Sequence, residues 1–146
     1  NRKTEKITKN EIAILKPWLK NTDDFFFIKQ NEEIIAMPLH LQNDLVSIQN
    51  SLYIKKAGVK MGTVIRNELI PHHELALSTI INDSIASVQV DLQTALQYLR
   101  KQEIKIEPLI KGWALIKYQQ MALGWVKILP NRINNYYPKE WRILNK

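Results

Sequence analysis

Basic, aromatic and amide side chains alternate through the last third of the chain, between Gly112 and Arg142. Lysine and arginine pair with phosphates, aromatic rings stack on unpaired bases, and asparagine bonds to base edges or 2′-hydroxyls. This mixture is typical of an RNA-binding surface. The competing interpretation places Trp113, Trp125 and Tyr136 in a small barrel core, which is the commoner position for any single aromatic residue. The cations as a group favour the functional interpretation, because few acids lie near them.

The charge of the chain is distributed unevenly along its length. The net charge is +7, and residues 1–99 contribute nothing to it, because eleven Lys and Arg are balanced by eleven Asp and Glu. Residues 100–146 hold ten Lys and Arg against three acids, which are Glu103, Glu107 and Glu140. This asymmetry indicates a polyanionic partner for the C-terminal part; the alternative is a basic surface that is merely solvated.

The remaining reactive residue types form no recognisable catalytic or metal site. His72, His73 and Glu74 are adjacent, and neighbours on a helix point about 100° apart, so the two imidazoles cannot easily reach one ion. The chain has no cysteine, which excludes disulfides, thiolate metal sites and cysteine nucleophiles. Its four glycines form no phosphate-binding or dinucleotide-binding loop, and no serine lies in a G-x-S-x-G turn. We therefore expect no catalytic, metal or cofactor site here, and a small enzyme built on His72–Glu74 is the least supported hypothesis.

Apolar patterning places these residues on a mixture of helices and strands. Residues 1–20 have helical spacing, with Thr8 or Asn10 as the cap. The residues from Phe25 to Met37 predict a hairpin, those from Asp91 to Leu99 a capped amphipathic helix, and those from Gly112 to Ile128 a second hairpin. We predict an α+β protein of two small β-rich parts, residues 1–84 and residues 85–146. No run of 18 apolar residues exists, so we expect no membrane partner, and the lack of cysteine favours a cytoplasmic location.

The C-terminal motifs resemble those of a known family. The residues that carry the resemblance are Gly112-Trp113, Leu123-Gly124-Trp125-Val126-Lys127, Asn134, Tyr137-Pro138 and Trp141-Arg142. This run resembles the PUA-like C-terminal domain of bacterial Sun-family, RsmF-type rRNA cytosine-5 methyltransferases. Upstream, Gly58–Gly62 and Pro71–Leu77 look like the small linking domain of those proteins. The resemblance implies a linking domain over residues 1–84 and a PUA-like pseudo-barrel with flanking helices over residues 85–146.

The resemblance also implies that catalysis takes place in a domain outside this chain. Members of the family make 5-methylcytosine from S-adenosylmethionine, using catalytic cysteines and a Rossmann-like cofactor domain. This chain has no cysteine and no glycine-rich cofactor loop, so it departs from the family's catalytic pattern. The expectation is an RNA-binding module, either a C-terminal fragment or a stand-alone relative, that holds no cofactor itself. Its partners would be rRNA or a ribosomal subunit and, in cis, a methyltransferase domain that uses S-adenosylmethionine.

Nine residues are the predicted RNA contacts. The basic and amide members of the motif region are expected to touch phosphate or sugar: Lys127, Arg132, Asn134, Lys139 and Arg142. Tyr137 is expected to contact a base, and three lysines extend the basic face: Lys105, Lys111 and Lys117. The alternative function is a protein-docking module without RNA contact, which uses the apolar hairpin at Phe25–Met37. An exposed patch at Phe25, Phe26 and Phe27 would favour that alternative.

Overall fold

The computed structural model describes residues 4–43, 54–55, 57–107 and 110–144. The chain divides into two compact units, Asn1–Asp83 and Ser84–Lys146, one residue before the boundary expected from the sequence. Both units combine a β-sheet with short helices, which confirms the α+β class. No helix among the described residues is both long and apolar enough to cross a membrane.

The N-terminal unit is built on a five-stranded antiparallel sheet whose strands follow one another in chain order. The strands are β1 (Thr4–Lys6), β2 (Phe25–Gln30), β3 (Glu33–Pro38), β4 (Val59–Ile65) and β5 (Glu68–Pro71). Two-residue turns join β2 to β3 and β4 to β5, and all four turn residues have positive φ: Asn31, Glu32, Arg66 and Asn67. Such turns match the right-handed twist of the strands, which explains why these hairpins form.

Helix α1 (Lys9–Leu15) is shorter than the helical pattern over residues 1–20. Thr8 begins it, because the Thr8 hydroxyl accepts the Glu11 N–H and the Glu11 carboxylate accepts the Thr8 N–H. Residues before this cap pair with β2 instead of continuing the helix. Another helix of the unit, α2 (His73–Leu77), begins after the His72 cap.

The C-terminal unit consists of a four-stranded sheet and one packed helix. Its elements are β6 (Ser87–Gln89), α3 (Leu92–Leu99), β7 (Gly112–Tyr118), β8 (Met121–Leu129) and β9 (Arg132–Asn135). The strand order is β6-β7-β8-β9; β6 runs parallel to β7 and the other pairs are antiparallel. Among the described residues the sheet remains open and does not close into a barrel.

Helix α3 covers one face of this sheet. The Asp91 carboxylate accepts the Thr94 N–H and so begins the helix, as the sequence predicted. The helix is amphipathic, as expected, but its buried side includes Ala95 and Tyr98, whereas the apolar Leu92 is 55% exposed. The fully buried members of this core are Tyr98, Ile104, Ala114, Ile116, Val126 and Ile128.

Candidate nucleic-acid interface

One row of side chains crosses three strands of the C-terminal sheet on the side opposite α3. Trp113 on β7 faces Lys127 on β8, and Lys127 faces Asn134 on β9. Neighbouring core residues such as Ala114 and Val126 point the other way, because successive side chains of a strand alternate between faces. We call the side that carries Trp113, Lys127 and Asn134 the outer face.

Arg132 and Lys117 extend this row. Arg132 lies two residues before Asn134 on β9, opposite Leu129, and so shares the outer face. Lys117 pairs with Gln89 of β6, next to the pair of Ile116 and Val88 that packs in the core, and so it points to the outer face. Four of the nine predicted RNA contacts therefore come together on one face of one sheet.

An aromatic cluster occupies the same face around Trp113. The Trp113 ring lies edge-to-face against Tyr136, with centroids 4.5 Å apart, and against Trp125, with centroids 6.4 Å apart. Trp125 is buried, Trp113 is half-buried, and Tyr136 is 38% exposed. The core interpretation of these rings thus holds for Trp125, whereas Tyr136 reaches the surface. The Lys127 ammonium lies 5.3 Å from the Trp113 ring centroid, so this cation also stabilises the cluster.

The other five predicted contacts do not join the outer face. Lys105 and Lys111 are exposed in the segment between α3 and β7. Lys139 and Arg142 lie in a short 3₁₀ turn after β9, where the Arg142 guanidinium donates to the Lys139 carbonyl at 2.9 Å. Tyr137 packs into the core, with its ring 5.5 Å from that of Tyr98.

The segment that carries Lys139 and Arg142 is tied to the end of α3. The Ile143 N–H donates to the Leu99 carbonyl at 2.8 Å, and the Trp141 N–H donates to the Pro138 carbonyl at 3.1 Å. We call residues Pro138–Arg142 the C-terminal turn. Because α3 covers the core side of the sheet, Lys139 and Arg142 form a second basic group, separate from the outer face. A single continuous cationic face, as the sequence suggested, is not what the structure shows.

Asn135 holds this second group in place. Its amide donates to the carbonyls of Tyr98 and Gln102, at 2.9 and 3.0 Å, and its side-chain oxygen accepts the Tyr137 N–H at 2.9 Å. The Lys101 ammonium donates to the Asn135 carbonyl. Burial lowers the pKa of Lys101, while the Glu140 carboxylate acts in the opposite direction and so lies within electrostatic range of it.

Three further residues lie beside Lys139 and Arg142 and were not predicted from the sequence: Arg100, Lys101 and Trp141. Arg100 and Lys101 end α3, where cations interact favourably with the negative end of the helix dipole, so their position had a readable signal. Trp141 lies in the C-terminal turn and is 59% exposed. The sequence offered no signal for that exposure, because tryptophan is usually a largely buried residue.

The histidine pair of the N-terminal unit has local structural contacts. His72 Nδ1 accepts the Glu74 N–H at 3.0 Å and caps α2, while His72 Nε2 lies 3.7 Å from the Glu33 carboxylate. Burial, with a smaller effect from His72, lowers the pKa of His73. No group of three or more His, Cys, Asp or Glu among the described residues is arranged to hold a metal ion.

The apolar hairpin of the N-terminal unit presents no fully exposed ring. Phe25, Phe26 and Phe27 are all half-buried. Phe26 packs against the buried cluster that contains Ile28 and Met37. The exposed patch that would favour a docking module is therefore not found at these three residues.

Known proteins resemble both units. The family model described as the methyltransferase RsmF PUA domain matches residues 86–143, which include β6 to β9, α3 and the C-terminal turn. A ribosomal RNA small subunit methyltransferase F of Shewanella loihica is 28% identical over 88 residues, which cover 59% of this chain and 18% of that protein. Proteins of the same name from two strains of Vibrio vulnificus are 23% identical over 143 residues, or 93% of this chain and 29% of theirs.

The chain thus spans less than a third of the length of these curated relatives. The Vibrio matches extend over the N-terminal unit as well as the C-terminal one, since they cover 93% of the chain. The expected resemblance is confirmed, and the matched range spans the residues that carried it, including Gly112-Trp113, Trp125 and Trp141-Arg142. Residues 86–143 are therefore similar to the RsmF PUA domain, and the matches together support an RsmF-type C-terminal PUA region.

Proposed function

We propose that this chain is the RNA-binding region of an rRNA cytosine-5 methyltransferase and that it positions rRNA for a catalytic domain joined to it in cis. The outer-face row of Trp113, Lys127 and Asn134, extended by Arg132 and Lys117, is the observation that carries the proposal. The names of the relatives, which are rRNA methyltransferases, support the same substrate class. The cofactor of the whole enzyme would be S-adenosylmethionine, and it would bind in the catalytic domain.

The charge of the C-terminal unit supports this role. All of the net charge of +7 arises within residues 100–146. Phosphate contacts from such cations provide affinity without sequence preference, whereas an amide such as Asn134 can read a base edge or a 2′-hydroxyl. In this proposal Arg132 and Lys117 hold the backbone, and Asn134 supplies selectivity. Lys127 contributes charge to the face and packing to the Trp113 ring.

A salt titration tests the proposal. In filter binding to rRNA fragments, the triple variant Arg132→Gln, Lys139→Gln and Arg142→Gln should bind more weakly than the unaltered chain. Its plot of log affinity against log salt should also be flatter, by about 0.7 to 0.9 for each phosphate that the variant no longer neutralises. The matched control is the triple variant Lys9→Gln, Lys16→Gln and Lys55→Gln, which removes the same charge from exposed positions of the N-terminal unit.

The two variants separate a specific surface from a general effect of charge. Equal losses in both variants would show that only net charge matters and would contradict the proposed surface. Unchanged affinity in a folded Arg132, Lys139 and Arg142 variant would overturn the RNA-binding role itself.

A further inference from the structure

We propose that Trp141 is a stacking platform for an unpaired RNA base, with Lys139 and Arg142 contacting the adjacent phosphates. The inference rests on the proposed RNA-binding function and deepens it, since it names unpaired nucleotides as the part of the substrate that the C-terminal turn takes. It also gives the second basic group a role distinct from that of the outer face.

The exposure of Trp141 is the first observation. Trp141 is 59% exposed, whereas Trp125, in the same unit, is 1% exposed. Leaving a ring of this size in water forfeits the stabilisation that its burial would provide. A ligand that stacks on the exposed part of the ring would recover that stabilisation.

The backbone that carries Trp141 is held at several points. The Trp141 N–H bonds to the Pro138 carbonyl, and two residues later the Ile143 N–H bonds to the Leu99 carbonyl of α3. At the start of the segment the Asn135 amide bonds to α3 and to the residues after it, and the Asn135 side-chain oxygen also accepts the Tyr137 N–H. A ring presented on a fixed backbone loses little conformational entropy when a ligand stacks on it.

The charges around Trp141 favour a polyanion. Lys139 and Arg142 flank it in the chain, and the Ile143–Leu99 bond brings the turn beside Arg100 and Lys101 at the end of α3. Glu140 is the one acid among the residues Arg100, Lys101, Lys139, Glu140 and Arg142. Four cations against one carboxylate suit phosphates on either side of a stacked base.

The flatness of the ring and its surroundings distinguish unpaired RNA from other ligands. The bases of a duplex are already stacked on each other, so an aromatic side chain stacks only on bases that are looped out or single-stranded. Ile143 and Leu144 are also exposed and would suit a protein partner, but charged residues such as lysine are depleted at the centre of protein interfaces. The cations on both sides of the ring therefore favour RNA.

The test compares a short fluorescein-labelled RNA single strand with the duplex that it forms with its complement, using the whole chain. Trp141→Ala should weaken binding to the single strand by roughly 5- to 100-fold, the range typical of one stacked base, and should leave duplex binding nearly unchanged. Trp141→Phe should retain most of the affinity. The salt slope of Trp141→Ala should stay that of the unaltered chain, because the ring carries no charge. The control is Leu92→Ala, which removes another exposed apolar side chain at the opposite end of α3.

A fluorescence measurement tests the same inference without the alanine variant. A base that stacks on Trp141 should quench its emission, so the single strand should quench the unaltered chain more than it quenches Trp141→Phe.

Single-strand affinity and quenching that are the same with and without Trp141 would overturn the stacking role and leave the proposed function intact. Equal losses on the single strand and the duplex would also overturn it. Failure of the unaltered chain to bind either RNA would overturn the proposed function, and the stacking role with it.

Discussion

The hydroxyl of Tyr98 on α3 donates a 2.9 Å hydrogen bond to the backbone carbonyl of Trp125 on β8. Both residues are almost wholly buried, and the same carbonyl accepts the Tyr136 N–H at 3.1 Å. This one carbonyl therefore connects the helix that covers the core to the segment that follows β9. Burial raises the pKa of Tyr98 far above its ordinary value, so the hydroxyl remains a donor at any pH at which the protein is handled.

Tyr98→Phe should lower the free energy of unfolding by about 0.5 to 1.5 kcal/mol. The loss is modest because the Trp125 carbonyl keeps the Tyr136 N–H as a partner and is not left unsatisfied. Urea denaturation followed by tryptophan fluorescence measures the change. A more stable variant would contradict a net contribution from this hydrogen bond.

Alanine substitution should affect different properties at the two neighbouring asparagines: protein stability at Asn135 and RNA binding at Asn134. Asn135→Ala removes three hydrogen bonds to the backbone and should cost about 2 to 4 kcal/mol of stability, because the carbonyls that it serves are partly buried. Asn134→Ala should change stability by less than about 0.5 kcal/mol and should weaken RNA binding. Denaturation and filter binding on both variants measure the contrast. A larger loss of stability for Asn134→Ala than for Asn135→Ala would contradict the placement of Asn134 on the outer face and of Asn135 on the core side.

Glu11 should make the N-terminal unit sensitive to acid. The Thr8 N–H lowers the pKa of the Glu11 carboxyl below its ordinary value of 4.5, burial opposes that shift, and the Lys29 ammonium at 3.0 Å lowers the pKa further. A lowered pKa adds stability that is present above the unfolded value and is lost as the pH falls through the folded one. Glu11→Gln should therefore cost about 1 to 3 kcal/mol at neutral pH, and the cost should shrink below pH about 4.

Denaturation of the Glu11→Gln variant across the acid range measures that pH dependence. Glu32→Gln is the matched control, because Glu32 also faces the Lys29 ammonium but is exposed and 3.7 Å away. A cost of Glu11→Gln that stays constant from neutral pH to pH about 2 would contradict the role assigned to its ionised form.

Gly62→Ala should destabilise the N-terminal sheet strongly. Gly62 has a φ of +132°, and an added Cβ would overlap the Ile70 carbonyl oxygen on the neighbouring strand. Both effects oppose alanine, so we expect a loss of at least about 2 kcal/mol. Gly112→Ala is the control, because Gly112 has a φ of +97° but no atom within 4 Å of the added Cβ. Its cost should be limited to the backbone strain of about 1 kcal/mol, and equal costs would contradict the steric argument.

Elements set by local chemistry were predictable from the sequence. The Thr8 and Asp91 caps, the hairpin from β2 to β3, and the hairpin from β7 to β8 are all confirmed. The turn of the second hairpin consists of Gln119 and Gln120, both with positive φ, although neither is a residue typical of such a turn. The strands on either side impose that conformation, because their pairing fixes the distance that two residues must bridge.

Elements that depend on distant partners were not predictable. The helical pattern over residues 1–20 includes the strand β1, whose pairing with β2 leaves no trace in its own residue types. The residue types of Leu52–Ala57 predict a strand, but Ile54, Lys55 and Ala57 are helical; Leu52, Tyr53 and Lys56 lie outside the described residues. The alternating residues Ile104-Lys105-Ile106 also predict a strand, but none forms there, although Ile104 is buried in the core. Ile104 packs into the core, but residues 104–106 take no place in the sheet, so this segment has no regular secondary structure.

The candidate site was predictable in composition but not in arrangement. Charge counting identifies the basic unit, and the interleaved basic and amide residue types group Lys127 and Asn134 with Lys139 and Arg142. Only the strand register separates the first pair from the second. The sequence assigns Tyr137 to RNA, whereas the structure places its ring against Tyr98 in the core. Residue type alone gives no means of distinguishing it from the exposed Tyr136.

The end of β9 repeats each residue type twice, as Asn134-Asn135 and then Tyr136-Tyr137. The first member of each pair belongs to the outer face, and the second belongs to the core. Sliding this strand by one position in a comparison would still match asparagine with asparagine and tyrosine with tyrosine. Such an alignment would score well while exchanging outer-face and core positions, so a comparison with PUA domains must follow the alternation of the strand and not residue identity.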